Sequence, residues 1–312
     1  MERCLYQPGH GFYTSGEGAA GRRRGDFVTS PEVGPLFADV VARVIDQVWA
    51  DSGRPAEIPV FDVGTGPGTL ATGLERADGP SAPARRVHGI DVATVTRLPA
   101  DLSGAVVVAN ELLDNLAFRL LERDGSTHGW SEVHVDGELH ELLVPVGADT
   151  ARRAHDLAPD AAEGARIPLQ DQAARWLKSA LGCLVRGRVA IVDYADTTPS
   201  LASRPWREWV RTYRDHGPGA GPLADLGEQD VTCEVAVDQL AHVRRPVSDL
   251  TQAEFLSAHG VDELVAEART EWEARAHVGD LKALRHRSRI TEAAALVDPS
   301  GLGAFRVLEW TV

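Results

Sequence analysis

"VFDVGTGPGTL", residues 60–70, decides how this chain folds. An apolar run carrying one acid, Asp62, ends in three glycines, Gly64, Gly66 and Gly68, with Thr65 and Pro67 between them. Glycine permits positive φ and lets a ligand approach bare backbone, because no Cβ stands in the way. The pattern predicts a buried strand, a sharp turn, and a helix, "TLATGLERA", whose free N–H groups face whatever the turn holds. A nucleotide P-loop needs Lys and then Ser or Thr after its last glycine; Thr69-Leu70 stand there, which excludes it. A dinucleotide fingerprint needs its third glycine at position 69, which is threonine, so that reading is weakened. A tight structural corner and a turn that receives some other ligand both stay open.

Working outward, strands and helices alternate. "GPLFADVVARVIDQVWA" (34–50) spaces its apolar residues as one buried helix face. "IPVFDVG" (58–64), "RRVHGID" (85–91), "GAVVVAN" (104–110) and "RVAIVDY" (188–194) read as buried strands, and "AFRVLEWTV" (304–312) as a last one. "EVHVDGELHELLV" (132–144) has Asp136-Gly137 between alternating residues, a hairpin signal. Residues 168–182 predict a helix with Pro168 near its start, followed further on by helices at 234–242, 251–258 and 261–287. Residues 195–230, rich in Pro and Gly, predict a long ordered loop or lid, with Trp206, Trp209 and Tyr213 at the spacing of a helix's buried stripe. The whole predicts an α/β fold with a mostly parallel sheet. Ligands then sit beyond the carboxyl ends of the strands, where Asp62, Asp91, Asn110, Glu111, Asp193 and Tyr194 gather.

Composition excludes several classes of partner. The 312 residues hold 46 Asp plus Glu against 32 Lys plus Arg, a net charge of -14, which argues against a nucleic-acid binder. The run Arg22-Arg23-Arg24 reads as a solvated loop. Cys4, Cys183 and Cys233 are too few and too scattered for a disulfide framework, and the histidines lack metal-ligand spacing, so no metal is expected. No apolar run reaches the roughly 18 residues of a membrane span. "MERCLYQPGH" lacks a signal-peptide layout, and the expected location is cytoplasmic. Nothing in the pattern specifies an oligomeric state.

A resemblance narrows the reading. Acid-x-Gly-x-Gly-x-Gly, led by Asp62, resembles the first motif of class I S-adenosylmethionine-dependent methyltransferases. "RGDFVTSPEVGPLF" (24–37), the glycine turn, "VVVANELLDNLAFRLLER" (106–123), "RVAIVDYA" (188–195) and "PLADLGEQDVTCEV" (222–235) together resemble the MidA-like methyltransferases, the family of the mitochondrial complex I assembly-factor arginine methyltransferase. That resemblance covers nearly the whole chain. It implies a Rossmann-like core, with an N-terminal segment of residues 1–55 and a core of 56–312 carrying a hairpin (about 128–146) and a lid (about 195–230). It also implies S-adenosyl-L-methionine as cofactor and a protein or peptide acceptor, with arginine favoured. Two departures stand out: Asp62 replaces the family's usual Glu, and only the 14 residues 92–105 separate Asp91 from "VVVAN", where the family fits a helix and another strand.

On that reading Asp62, Gly64, Thr65, Gly66, Pro67 and Gly68 form the cofactor turn. Asp91, 23 residues after Gly68, binds the ribose hydroxyls. Thr29, Ser30 and Asn110 flank the cofactor, and Glu111, Asp114 and Glu32 are the expected catalytic acids. A charged guanidinium has no free lone pair, and carboxylates on its other nitrogens orient it and draw its charge away. The plainer alternative makes Asn110 a helix cap and the two acids after it first-turn residues. Two other functions remain open, a cofactor-binding scaffold without catalysis and a methyltransferase of a small metabolite.

Overall fold

The computed structural model describes residues 1–14, 29–91, 98–125, 129–214 and 217–312. They form two compact units, one of 28–111, 180–193 and 246–312, the other of 1–27, 112–179 and 194–245. The Arg22-Arg23-Arg24 run lies outside the described residues.

The first unit is built on six strands in the order Ser248–Thr251, Arg306–Thr311, Leu184–Asp193, Leu102–Asn110, Ile58–Val63, Arg85–Ile90. Val106, Val107 and Ala109 in the centre are fully buried, so the strand reads as a continuous apolar run, without the alternation of a half-exposed strand. Ile58–Val63 runs parallel to both of its neighbours, and Leu102–Asn110 parallel to Leu184–Asp193. Arg306–Thr311 alone is reversed, pairing antiparallel with both strands beside it. Helix Pro35–Asp51 buries Leu36, Phe37, Val40, Val41, Val44 and Ile45. It lies so close to helix Thr69–Arg76 that a Cβ on Gly73 would stand 2.6 Å from that of Ala38.

The expected single helix over 261–287 is two, Val261–Arg275 and Leu281–Leu296. Gly279, at φ 63°, turns the chain, and the Asp280 side chain caps the second helix by accepting from the Ala283 N–H at 2.8 Å. The helix expected from 234 begins at Val237.

The second unit carries a four-stranded antiparallel sheet in the order Glu141–Pro145, Gly129–Val135, Arg119–Asp124, Arg166–Leu169. Pro168, expected near a helix start, instead sits in this last strand, at the sheet edge where a missing N–H is tolerated; the helix begins at Asp171. The hairpin loop is longer than Asp136-Gly137 alone. Asp136 Oδ1 accepts from the N–H groups of Glu138 and His140, and Leu139 takes φ 66°. In place of a long loop with a helical aromatic stripe, 195–230 contains helix Thr198–Ala202, a 3-10 turn at Trp206–Glu208, and strand Val210–Arg214 paired with Asp230–Cys233. Trp209 is fully buried beside Leu5, Leu201 and Val210, and its indole N–H donates to the Leu201 carbonyl at 2.9 Å.

Candidate cofactor and acceptor site

Gly64, Gly66 and Gly68 all take positive φ, 78°, 49° and 77°, the left-handed region that side chains avoid. The turn is pinned at both ends. The Gly64 N–H donates to the Ile90 carbonyl at 2.7 Å, and the Gly68 N–H to the Thr65 carbonyl at 2.8 Å. Asp62, 3% exposed, braces it from behind: its Oδ2 accepts from the Thr65 hydroxyl at 2.8 Å and the Ala71 N–H at 3.2 Å. Burial raises the Asp62 carboxyl above its ordinary value, and these two bonds pull it back. Because the turn hangs from Ile90, it lies beside Asp91, the residue that follows that strand.

The chain leaves Leu102–Asn110 through Glu111, whose φ of 49° is unusual for a residue with a side chain. Its N–H donates to the Val192 carbonyl at 2.8 Å, which ties this corner to the strand ending in Asp193. The Glu111 carboxyl accepts from the Asn110 side-chain amide at 3.2 Å and from the Ser30 backbone N–H. Burial, then the nearby Asp193 carboxylate, and more weakly Glu32, push it up to about 8, against the pull of those two donors. Part of Glu111 still reaches solvent.

Ser30 is itself held. Its hydroxyl donates to Gln252 Oε1 at 2.7 Å, and the Gln252 amide nitrogen donates to the Leu296 carbonyl at 2.9 Å, with Ser30 and Gln252 both fully buried. Thr29 and Glu32 form a capping box in which Glu32 Oε2 accepts from the Thr29 N–H and hydroxyl at 3.0 and 3.1 Å. A groove of about 1140 Å³ adjoins the turn, bordered by Glu32, Pro67, Gly68, Thr69 and Arg289.

Two features fit a nucleoside cofactor with an amino-acid tail. A Cβ on Gly68 would meet nothing nearer than Thr65 Oγ1 at 4.0 Å, so among the described residues the space beside Gly68 is open. Asn110 Oδ1 is buried with no hydrogen-bond partner among the described residues. Residues 84–256, more than half of the chain, match the family model described as "Putative S-adenosyl-L-methionine-dependent methyltransferase". The chain belongs to this methyltransferase family.

The methyltransferase is also similar to the mitochondrial protein arginine methyltransferase NDUFAF7 of Xenopus laevis, 33% identical over 76 residues, 24% of this chain and 17% of that protein. Its Drosophila melanogaster homolog is 34% identical over 71 residues, 23% and 16%. These matches span about a sixth of the curated relatives' own length. A crystal structure of a Burkholderia thailandensis superfamily member bound to S-adenosyl-homocysteine superposes with TM-score 0.77 at 26% identity, covering 100% of this chain and 86% of the other. A native structure from the same organism gives 0.76 at 24%, covering 100% and 85%, and supports the fold. The chain is thus a member of the S-adenosyl-L-methionine-dependent methyltransferase family with a class I α/β fold.

Of the residues expected at the methyltransferase's site, Thr29, Ser30, Glu32, the 62–68 turn, Asp91, Asn110, Glu111 and Asp193 all fall in the first unit. Asp114 and Tyr194 fall in the second. There Asp114 is buried; its Oδ1 accepts from the Asn115 amide at 2.9 Å, and its backbone carbonyl from the Cys233 N–H at 2.9 Å. Residues 111–118 are turns with no helix, so the reading of Asn110 as a helix cap is corrected. Gly89 and Gln252 escaped the sequence reading. A Cβ on Gly89 would crowd Thr65 Oγ1 to 2.8 Å, and Gly89 had no signal beyond lying one residue before a strand end. Gln252 carried no signal at all. Among the described residues no group of three His, Cys, Asp or Glu is arranged to hold a metal ion, and no helix is long and apolar enough to cross a membrane.

Proposed function

We propose that this methyltransferase modifies a cationic protein side chain, arginine before others, with Glu111 as the acid that receives the cation. The observation that carries this is the set of influences on Glu111: burial first, then two carboxylates, Asp193 and Glu32, raise its affinity for a proton, and among the described residues no cation opposes them. A carboxyl so placed gains most from a positive ligand, because the cation offsets both the cost of burying its charge and the repulsion of its neighbours. The names of the NDUFAF7 relatives support a protein acceptor.

When bound, S-adenosyl-L-methionine supplies a methyl group on a sulfonium, a good leaving group. The glycine turn would hold the methionine portion with backbone alone, Asp91 would take the ribose hydroxyls, and Asn110 and Thr29 would flank it, with Ser30 buried behind Glu111. Arginine arrives fully charged, since its pKa exceeds about 12. Glu111 releases its proton to the solvent that part of it reaches as the guanidinium enters, pairs with the nitrogens that are not attacked, and fixes the plane of the group. The attacked nitrogen gives up one proton to solvent as it gains the methyl group. Drawing positive charge toward that pair leaves the remaining nitrogen more electron-rich. Orientation of this kind supplies part of the roughly 7–11 kcal/mol available from positioning.

The test is transfer from methyl-labelled S-adenosylmethionine to three acceptors side by side: an arginine-containing peptide, the same peptide with lysine, and free arginine. Labelling of the arginine peptide above the other two is expected. Equal labelling of free arginine would move the acceptor to small guanidino metabolites, and preference for the lysine peptide would remove arginine.

A further inference from the structure

In the second unit, strand Glu141–Pro145 is the outer member of its sheet, and all five of its residues are exposed. Leu142, Leu143 and Val144 stand 49%, 49% and 41% exposed, and Val135 opposite is 44% exposed. Natural sheets usually protect such an edge with lysine, a bulge or a covering segment. Among the described residues Pro145, at the end of the strand, is the one such device here.

The register says which backbone groups the edge offers. Asp136 N–H donates to the His140 carbonyl at 3.0 Å and Val146 N–H to the Trp130 carbonyl at 3.2 Å, marking both ends of the ladder with Gly129–Val135. Hydrogen-bonded pairs alternate between those ends, so Val144 and Leu142 bond inward to Glu132 and His134. The N–H and C=O of Glu141 and Leu143 then point to the open edge. Pro145, in the same phase, has no N–H to leave unsatisfied there.

Directly paired residues share a face, which puts Leu143 with Val133, and Glu141 with Val135. That face borders a cavity of about 300 Å³ whose apolar lining includes Leu120, Val133, Val135, Trp206 and Leu223, together with two carboxylates, Glu132 and Glu141, and two cations, Arg119 and Arg207. The wall at 221–224 is held in place by Gln229, 1% exposed, whose amide nitrogen donates to the carbonyls of Gly221 and Ala224 at 2.9 and 2.8 Å.

We propose that this edge is a docking site for an extended, basic segment of a partner protein, which adds as a fifth strand and lays the side chains of one face over Leu143 and the cavity mouth. Charge selects the occupant. Residues 129–145 contain four carboxylates, Glu132, Asp136, Glu138 and Glu141, and no Lys or Arg. Glu132 and Glu141 pair with Arg119 and Arg166 at 2.7 and 2.6 Å, while among the described residues Asp136 and Glu138 at the tip make ion pairs with His140 alone. A second copy fits less well: antiparallel pairing centred on Leu143 brings each tip toward the start of helix Ala148–Leu157 of the other copy, where the nearest cation, Arg152, is already paired with Asp149 at 3.3 Å. Alternating basic and apolar side chains satisfy the backbone, the apolar face and the charge at once. Binding at this edge is read without turnover and stands whether or not arginine is the acceptor.

The probe is a fluorescein-labelled hexapeptide of alternating valine and arginine, titrated against the full chain by anisotropy, with a valine–glutamate hexapeptide beside it. Saturable binding of the basic peptide, at least tenfold tighter than the acidic one, is expected. Leu143→Pro removes the outward N–H without touching the ladder and should weaken binding at least tenfold; Leu143→Ala, which keeps that N–H, should cost about threefold. Glu138→Lys, on an exposed side chain, should also weaken the basic peptide, and it decides the matter together with Leu143→Ala if the proline variant fails to fold by circular dichroism. Equal binding of both peptides, or wild-type affinity in Leu143→Pro, overturns the proposal. A concentration-dependent dimer in light scattering that Leu143→Pro abolishes overturns it in favour of a second copy.

Discussion

Asp62 and Glu111 end neighbouring strands of one sheet, and burial raises both carboxyls, yet the two acids have opposite fates. Asp62 meets donors: a threonine hydroxyl and a helix N–H from the turn that it braces. Glu111 also meets two donors, but it faces Asp193 and Glu32 as well, and its carboxyl reaches about 8. A buried acid whose neighbours are donors completes a structure. One whose neighbours are further acids stays ready for a cation, and strand position alone does not tell the two apart.

Removing the charge at the second acid tests that contrast most severely. Glu111→Gln should lower turnover by about 100- to 1,000-fold, the roughly 2.7–4 kcal/mol of one preorganised transition-state contact, while affinity for S-adenosylhomocysteine stays within twofold by calorimetry. Full turnover in the variant would make Glu111 as structural as Asp62. On the other side of the comparison, Gly66→Val puts a β-branched residue at φ 49° and a side chain into the turn. Loss of cofactor binding by more than about 100-fold is expected, with a native circular-dichroism spectrum; unchanged affinity would mean that the turn Asp62 braces is only a corner.

Asp91→Ala gives a smaller effect. Two charge-assisted bonds of roughly 1.5–3 kcal/mol each, partly replaced by water, predict at least about tenfold weaker cofactor binding. A loss below twofold would separate Asp91 from the turn it adjoins. The remaining effect is on stability, and it is small at any one pH step. Since the folded carboxyl of Glu111 sits near 8, above its ordinary 4.5, its contribution is fully present below about pH 4.5 and is lost as pH rises through 8. Across that window wild type should lose at most about 1.4 kcal/mol per pH unit relative to Glu111→Gln in urea titrations. Parallel curves for the two proteins would show that burial and the Asp193 and Glu32 carboxylates do not act on Glu111 as described.

Much of the first unit was legible in the sequence because its signals are local. Helix 34–50 and the strands at 58–64, 85–91 and 104–110 came within one or two residues of their observed ends. The second unit was harder to read. Trp206, Trp209 and Tyr213 have helical spacing, but Trp209 is buried by Leu5 and Leu201, and Tyr213 pairs across to Asp230. Long-range pairing overrode the local period there. At Gly279-Asp280 the apolar pattern continued through a helix break that only a glycine and a cap announce.

The sequence by itself determined the glycine turn, because positive φ is a property of single residues and their sterics. Only the tertiary structure decided which acid the turn would consume and which it would leave facing other acids. The surroundings of Glu111 come from Ser30, Glu32 and Asp193, with Gln252 behind Ser30. Those residues lie up to about two hundred positions apart, and desolvation and Coulomb repulsion depend on distance in space, which no local pattern carries.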